Sequence, residues 1–391
     1  VSPLPSRFLP QPAALALHGE GRLHRLGGFL LRGDPLADAA VDALAALPSS
    51  AGREALLARG LAEGAAAVPE APDALRALLA AAGQVPFWVD PARADRGAAV
   101  LLRAGPLAGL VLGFRSLVAG YCSPGGNKPL AFSGRMEEGA ARRLAETGHF
   151  VQATARPGAL RPGAEGYQTT LRVRLMHARV RRMLQQSPRW READWGVPIN
   201  QYDMAGTVVL FSHALLEGLA QLGVRFTREE REDLMHLWRW SGWLMGVEEE
   251  LLCATEAEAR TLLALLQATQ GPPDADSRRL ADALFATPVR EARTPAERAV
   301  AERTQGLGYA LSRFLIGDDY ADALGYPRSR WSLALPALRA AVRGLDVLRA
   351  SLPGADGLAA QAGLLYWERA VGFGLEGRPA RFELPERLAR L

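Results

Sequence analysis

The chain has 391 residues, 49% hydrophobic and 23% charged, with 46 basic side chains set against 42 acidic ones. That composition belongs to a folded globular protein with a large core and excludes a disordered chain. The formal charge of +4 is thinly spread, with no block of five or six like charges, and Lys128 is the only lysine. In a chain this rich in Ala and Gly the arginine bias reads as genome composition, so no nucleic-acid partner is expected.

Two cysteines, Cys122 and Cys253, are too few for a disulfide framework and form no C-x-x-C pair. The absence of C-x-x-C-H also excludes covalent haem attachment. The opening "VSPLPSRFLPQPAALALHGEG" lacks a basic region followed by a clean apolar stretch, so no signal peptide is expected. A start at Val1 is equally compatible with a leader already removed, which leaves a cytoplasmic or a secreted protein open. The most apolar window, "GPLAGLVLGF", falls short of the roughly 20 residues of a membrane span and is read as a buried helix.

In chain order nearly every periodic segment reads as helix. "DPLADAAVDALAAL" has Asp34 as N-cap, Pro35 at the first helical position and a stop at Pro48. "AGREALLARGLAEGAAA" and "APDALRALLAAAG" repeat the apolar spacing, the second stopping near Gly83. Pro106 is expected to break or kink a helix over 100–118, because it has no N–H to give. "YCSPGGNKPLAFSG" is a turn-rich loop; Pro129 stands where a phosphate-binding loop needs Ser or Thr, so that function is excluded. Helices follow over 136–153, 168–186, 201–222 and 227–245, with Asn200 and Asp203 as a capping pair. "QGPPDADS" reads as a linker, and helices resume near Arg278, Pro295, Leu333 and Gly357. The terminal "GRPARFELPERLARL" is too Pro-broken for a central strand. The fold class is therefore all-α: a single large helical domain over 1–391, with a C-terminal helical subdomain over 278–391 as the alternative division.

Within "LRVRLMHARVRRML", Val173, Met176, Val180 and Leu184 share one helix face, and His177 lies beside it. Arg174 and Arg181 flank His177 a turn away on each side. One reading is a core histidine hydrogen-bonded to a backbone carbonyl, the commoner fate of a lone histidine. The other is an axial ligand to haem iron, with Arg174 and Arg181 pairing with the propionates. Upstream, "GAARRLAETGHFV" puts Arg143 and Thr147 on one face, with Glu146 and Phe150 adjoining. They form either a surface pair or a set of donors to oxygen bound in a dry pocket.

Taken in order, "RRLAET", "LRVRLMHARVR", "WGVPINQYDMAGTVVLFS" and "WRWSGWLMGV" resemble the haem oxygenases typified by bacterial latex clearing protein and the fungal MpaB enzyme. The resemblance covers roughly 126–253, the core motifs, with weaker support from "GDPLADAAV". It implies a globin-like core around a non-covalent b-type haem, His177 as iron ligand, and Arg143 and Thr147 on the opposite, oxygen-binding side. It also implies dioxygen-dependent cleavage of C=C bonds in cis-polyisoprene, a shorter isoprenoid or another unsaturated hydrophobic substrate. Met176, Phe150 and the segment 199–211 would line the apolar channel. Two features depart from the family pattern. Glu146 stands where latex clearing proteins carry a lysine, a change that leaves the distal site open or supplies a proton acceptor. The family's acidic base has no clear counterpart, Glu137 and Glu138 being out of register.

Other classes compete. A di-iron bundle needs two E-x-x-H motifs. Only Glu146–His149 qualifies; Asp233–His236 is an aspartate version, and His213–Glu217 runs in reverse. His149, His213 and His236 are accordingly expected as core groups or as groups that support the site from behind. A non-catalytic haem carrier or sensor would keep His177 without needing Arg143 and Thr147. A purely structural helical protein would take up no haem. No G-x-S-x-G is present, which removes the hydrolase reading. Oligomeric state is not legible.

Overall fold

The computed structural model describes residues 3–133, 140–375 and 380. Among these residues there is no strand, only an isolated antiparallel bridge between Phe8 and Gln270. The frame consists of α1 (Pro35–Ala45), α2 (Pro91–Val111), α3 (Ala140–Thr154), α4 (Glu165–Gln186), α5 (Gln201–Phe211), α6 (Arg228–Leu244), α7 (Leu335–Ser351) and α8 (Ala355–Gly374).

Local chemistry sets most of the helix starts. The Asp34 carboxylate accepts the Ala37 N–H at 3.2 Å, with Pro35 next in the first turn. Asn200 accepts the Asp203 N–H at 2.9 Å and returns its own amide to the Asp203 carboxylate at 2.9 Å. Thr227 and Glu230 form a reciprocal capping box ahead of α6. The predicted helix over 201–222 divides at Ser212 (φ −105°, ψ −90°), whose hydroxyl donates to the Val208 carbonyl at 2.8 Å. Its second half is His213–Gln221. The expected start of α3 at Met136, the residues Glu137 and Glu138, and the terminal 381–391 lie outside the described residues.

The central helix is α2. Asp90 caps it by accepting the Ala92 N–H at 2.9 Å and the Arg93 N–H at 3.2 Å. It bends at Gly105, where φ is +49°. A residue before proline is pushed out of the α region, and glycine enters the positive-φ region without a Cβ clash. Pro106 cannot donate to the Leu102 carbonyl four residues back. That carbonyl faces α8 instead: a Cβ on Gly363 would sit 1.7 Å from its oxygen. On another side α6 crosses so closely that a Cβ on Gly97 would lie 2.2 Å from the Asp233 oxygen. Two side-chain-free crossings thus lock α2 between α6 and α8.

Past Val111 the helix does not stop. It widens through a turn of i→i+5 geometry at Leu112–Ser116 and runs on as Leu117–Tyr121. The run from Pro91 to Tyr121 is 31 residues long with a mean hydropathy of 1.6 in its most apolar window, enough in length and composition to cross a membrane. The expectation that this segment is too short for a span is therefore corrected: Pro106 bends the helix rather than ending it. Leu101, Leu102, Ala108 and Val111 of α2 belong to the protein core.

The expected linker is pinned. Asp274 caps the helix Ala275–Glu291, and Lys128 donates to Asp274 at 2.6 Å and to Asp276 at 2.5 Å. One hydrophobic cluster extends from Ala14 to Leu375 and includes Leu311, Leu335, Val342, Trp367 and Val371. The C-terminal helices share the main core, so the chain forms one helical domain.

The crossings give a stability prediction. Gly363→Ala forces α8 away from Leu102 and is expected to cost about 2–4 kcal/mol in urea unfolding. Gly344→Ala, mid-helix in α7 with open space around it, is expected to stabilise by up to about 1 kcal/mol.

Candidate functional site

α4 carries His177 and is clamped to α1 by two ion pairs. Arg174 donates from Nε to Asp34 Oδ2 at 2.6 Å and from Nη2 to Oδ1 at 2.9 Å, and from Nη1 to the Leu244 carbonyl at 3.1 Å. Arg181 donates to Asp38 at 2.5 Å, to the Pro198 carbonyl at 3.1 Å and to the Ile199 carbonyl at 3.0 Å. Both arginines are buried. Burial raises the Asp38 carboxyl above its usual range, against the pull of Arg181. The clamp needs bare backbone around it: a Cβ on Gly246 (φ +87°) would lie 2.5 Å from Asp34 Oδ2 and 2.6 Å from Arg174 Nε. Gln201 knits the same region, donating to the carbonyls of Gly33 at 2.8 Å and Gly246 at 2.9 Å and accepting the Glu248 N–H at 2.9 Å.

The two arginines expected at haem propionates thus have protein partners on α1. Asp34, Asp38 and Gln201 are the residues that sequence reasoning missed here. Asp34 already had a complete role as a helix cap, and nothing in the local pattern signals a second one.

His177 lies between the two clamped arginines, its ring half-buried. Nδ1 is buried without a hydrogen-bond partner among the described residues. Burial, reinforced by Arg181 and opposed by Asp34, pushes the imidazole down to about 4, so the ring is neutral at pH 7. Satisfied core histidines do not look like this, because an unpaired buried nitrogen costs about 1–3 kcal/mol. Val173, Val180 and Leu184 are buried around it as the periodicity predicts, while Met176 is half-buried.

α3 packs along α4 and α8. Thr147 is half-buried, and its hydroxyl donates to the Arg143 carbonyl at 3.0 Å. The Arg143 side chain is hydrogen-bonded to the hydroxyl of Tyr121, a fully buried residue that the sequence reading did not single out. Glu146 is buried and pairs with Arg142 at 3.3 Å. Phe150, one turn beyond Thr147, meets Phe211 and Trp238 at ring-centroid distances of 6.1 and 6.2 Å, and Phe211 stacks on Trp238 at 4.9 Å. Phe150, Met176, Ile199 and Phe211 all join the main core, so the residues expected to line an apolar channel belong to one apolar region.

Two of the remaining histidines have structural employment. His213 Nδ1 contacts Glu256 at 3.1 Å, and its Nε2 faces Glu217 at 3.5 Å. His236 Nε2 accepts the Asp90 N–H at 2.9 Å, helping to start α2. His149 is half-buried on α3. Among the described residues no cluster of three or more His, Cys, Asp or Glu could hold a metal ion, so the di-iron ligand set is not assembled. A cavity of about 160 Å³ is lined by Ala119, Cys122 and Leu266 and, from the predicted channel segment, by Tyr202 and Leu210 among others; His177, Arg143, Glu146, Thr147, Phe150 and Met176 do not border it.

The all-helical domain thus carries on α4 a neutral histidine whose buried Nδ1 has no hydrogen-bond partner among the described residues. Residues 96–346 match the family described as ER-bound oxygenase mpaB/B'/rubber oxygenase, catalytic domain, and the chain belongs to that family. Over 265 residues, 65% of this chain, it is 29% identical to the rubber oxygenase of Streptomyces sp. (strain K30), a match spanning 61% of that protein's length. A solved structure of latex clearing protein LCP in the closed state superposes with a TM-score of 0.71 at 21% identity, covering 98% of this chain and 99% of that one. The two share a fold from end to end.

Two predictions rest on this geometry. Arg174→Ala leaves the Asp34 carboxylate buried and unpaired and is expected to cost about 3–5 kcal/mol by denaturant unfolding. Below about pH 6.5 the unfolded chain holds a proton on His177, which the folded ring refuses until about pH 4. Stability is therefore fully present above that window and is lost as pH falls through it. His149, His213 and His236, also depressed by burial, act with the same sign. His177→Gln should flatten the pH slope of the unfolding free energy by up to one proton.

Proposed function

We propose that this protein is a b-type haem-dependent oxygenase that cleaves C=C bonds of a hydrophobic isoprenoid substrate with dioxygen, polyisoprene being the reference substrate. The observation that carries this is His177: a neutral imidazole with a buried, unpaired nitrogen, on a helix held in rotation by two buried ion pairs. It lies within the stretch that matches the oxygenase family. Such a ring would hold an iron, and the apolar side chains on the same helix face, Val173, Met176 and Val180, would accept a porphyrin. When bound, the haem supplies an iron centre that activates dioxygen.

The chain's own residues do the rest. His177 would hold the iron. Arg174 and Arg181 act through α4: they set which way the imidazole faces and keep it there. Arg143, steadied by Tyr121, presents fixed polar hydrogens on the α3 side, where Thr147 offers an oxygen whose own hydrogen is already committed to the Arg143 carbonyl. Glu146, buried beside Arg142 where a lysine stands in latex clearing proteins, is placed to accept a proton rather than to ligate metal. Phe150, Phe211 and Trp238 exclude water and offer a flat surface to an unsaturated chain. A wall of this kind discriminates weakly, roughly 1–3 kcal/mol per methylene. The rubber oxygenase relative supports a polyisoprene-like substrate class.

A second reading, a haem carrier without turnover, is favoured by one feature: the Thr147 hydrogen and the Arg143 side chain both have protein partners. Experiment separates the two. The purified protein should show a Soret band that shifts with dithionite, and His177→Ala should lose nearly all haem; full retention with an unchanged spectrum removes His177 from the role. Arg143→Leu and Thr147→Val should retain haem while oxygen-dependent turnover of short polyisoprene falls, roughly 100-fold for the lost Arg143 donor and less for Thr147, whose hydrogen is already committed. Normal turnover in both would remove the distal assignment, and an intact Soret band with no turnover in the unaltered protein would favour the carrier.

A further inference from the structure

Ile199 is the only non-glycine residue with positive φ among the described residues, at +50°. For a β-branched side chain this conformation is a true outlier, because the branch crowds its own backbone. Backbone strain of this kind persists only where the surroundings over-determine it. They do so here. Arg181 donates to the carbonyls of both Pro198 and Ile199, at 3.1 and 3.0 Å. Val197 N–H donates to Leu30 and Gln201 N–H to Arg32, each at 2.9 Å, and Asn200 donates to the Val197 carbonyl at 2.9 Å. Gly196 lies so close to the same strand of backbone that a Cβ would fall 2.4 Å from the Leu30 oxygen.

A turn that needs positive φ normally takes Gly or Asn. The exception therefore asks what an isoleucine side chain accomplishes at this point. Val197, Pro198, Asn200 and Gln201 are all buried, yet Ile199 between them is only half-buried. It packs against two clusters at once: the main core, and the small cluster of Val180, Leu184 and Trp190. Met176, the residue before His177, is half-buried and bridges the same two clusters. The carbonyl of Ile199 is held by the arginine one helical turn beyond His177.

We infer that Ile199 is a cofactor-packing residue: Arg181 fixes its strained backbone so that its branched side chain, with Met176, forms the apolar wall on the His177 side against which the porphyrin lies. This rests on the reading of His177 as haem ligand. It also gives Arg181 a second task, since one guanidinium sets both the helix that bears the ligand and the segment that bears the wall.

The test exploits the strain. Ile199→Gly removes the side chain and also relieves the backbone, so the haem-free variant should unfold at the same or a higher urea concentration than the unaltered protein. Its affinity for haemin, titrated by the Soret band, should fall about tenfold, the scale of a lost buried aliphatic side chain. Ile199→Val keeps the branch and should bind within about twofold of the unaltered protein. Ile199→Ala is measured alongside and should show the same loss as glycine. Haemin affinity of the glycine and alanine variants within twofold of the unaltered protein would overturn the inference, as would a loss that only tracks lower stability of the haem-free fold. Haemin uptake by the unaltered protein is the control: no uptake at all overturns the haem reading and the packing role with it, whereas uptake that survives His177→Ala overturns the ligand assignment and leaves the Ile199 comparison to decide the packing role.

Discussion

Two arginine–aspartate pairs buried between α1 and α4 are the constraint on which the site depends. Arg174 and Arg181 are two helical turns apart, and Asp34 and Asp38 one turn apart on the partner. A helix pinned at two such points can neither roll nor slide, and His177, between them, inherits a fixed direction. Ion pairs of this kind are weak evidence for stability, since apolar side chains of similar volume can do as well in that respect. What apolar packing lacks is direction: a leucine face tolerates a rotation of several degrees, whereas a bidentate guanidinium–carboxylate contact does not.

The same economy of contacts runs through the fold. The clamp closes only because Gly246 and Gly33 leave room for the charged groups, and α2 is gripped only because Gly97 and Gly363 let neighbouring backbones touch. In each case an absent side chain lets a polar atom or a carbonyl approach. Gln201 is the converse: one side chain with three hydrogen bonds, joining segments distant in the chain. Lys128 plays a similar part for the acidic turn that opens the C-terminal half. The result is a rigid cradle in which a strained residue, Ile199, and an unsatisfied one, His177, both persist. Local rules of conformation and hydrogen bonding are broken where a fold has a use for the break.

Glu146 shows how a buried charge is met within one helix. Its carboxylate lies in the interior, and the partner it needs is on the preceding turn as Arg142. Burying that carboxylate without Arg142 would be costly.

How much of this was legible beforehand follows from the range of the forces involved. Caps are local, so Asp34 and Asn200 could be placed from spacing, as could the bend before Pro106. His177 and the face beside it were visible for the same reason: helical periodicity repeats every few residues. Order and spacing of short motifs carried the family. The partners of Arg174 and Arg181 lay 140 and 143 positions away, and no pattern along the chain ties such residues together. Likewise, that Nδ1 of His177 lacks a partner among the described residues, that Tyr121 holds Arg143, and that Ile199 is forced to positive φ are facts about what surrounds a residue. The sequence by itself determined the helices, the caps at Asp34 and Asn200 and the place of His177 beside an apolar helix face, because those depend on neighbours in the chain. Only the tertiary structure decided what that imidazole touches and which way it is held, because burial and ion pairing are set by neighbours in space.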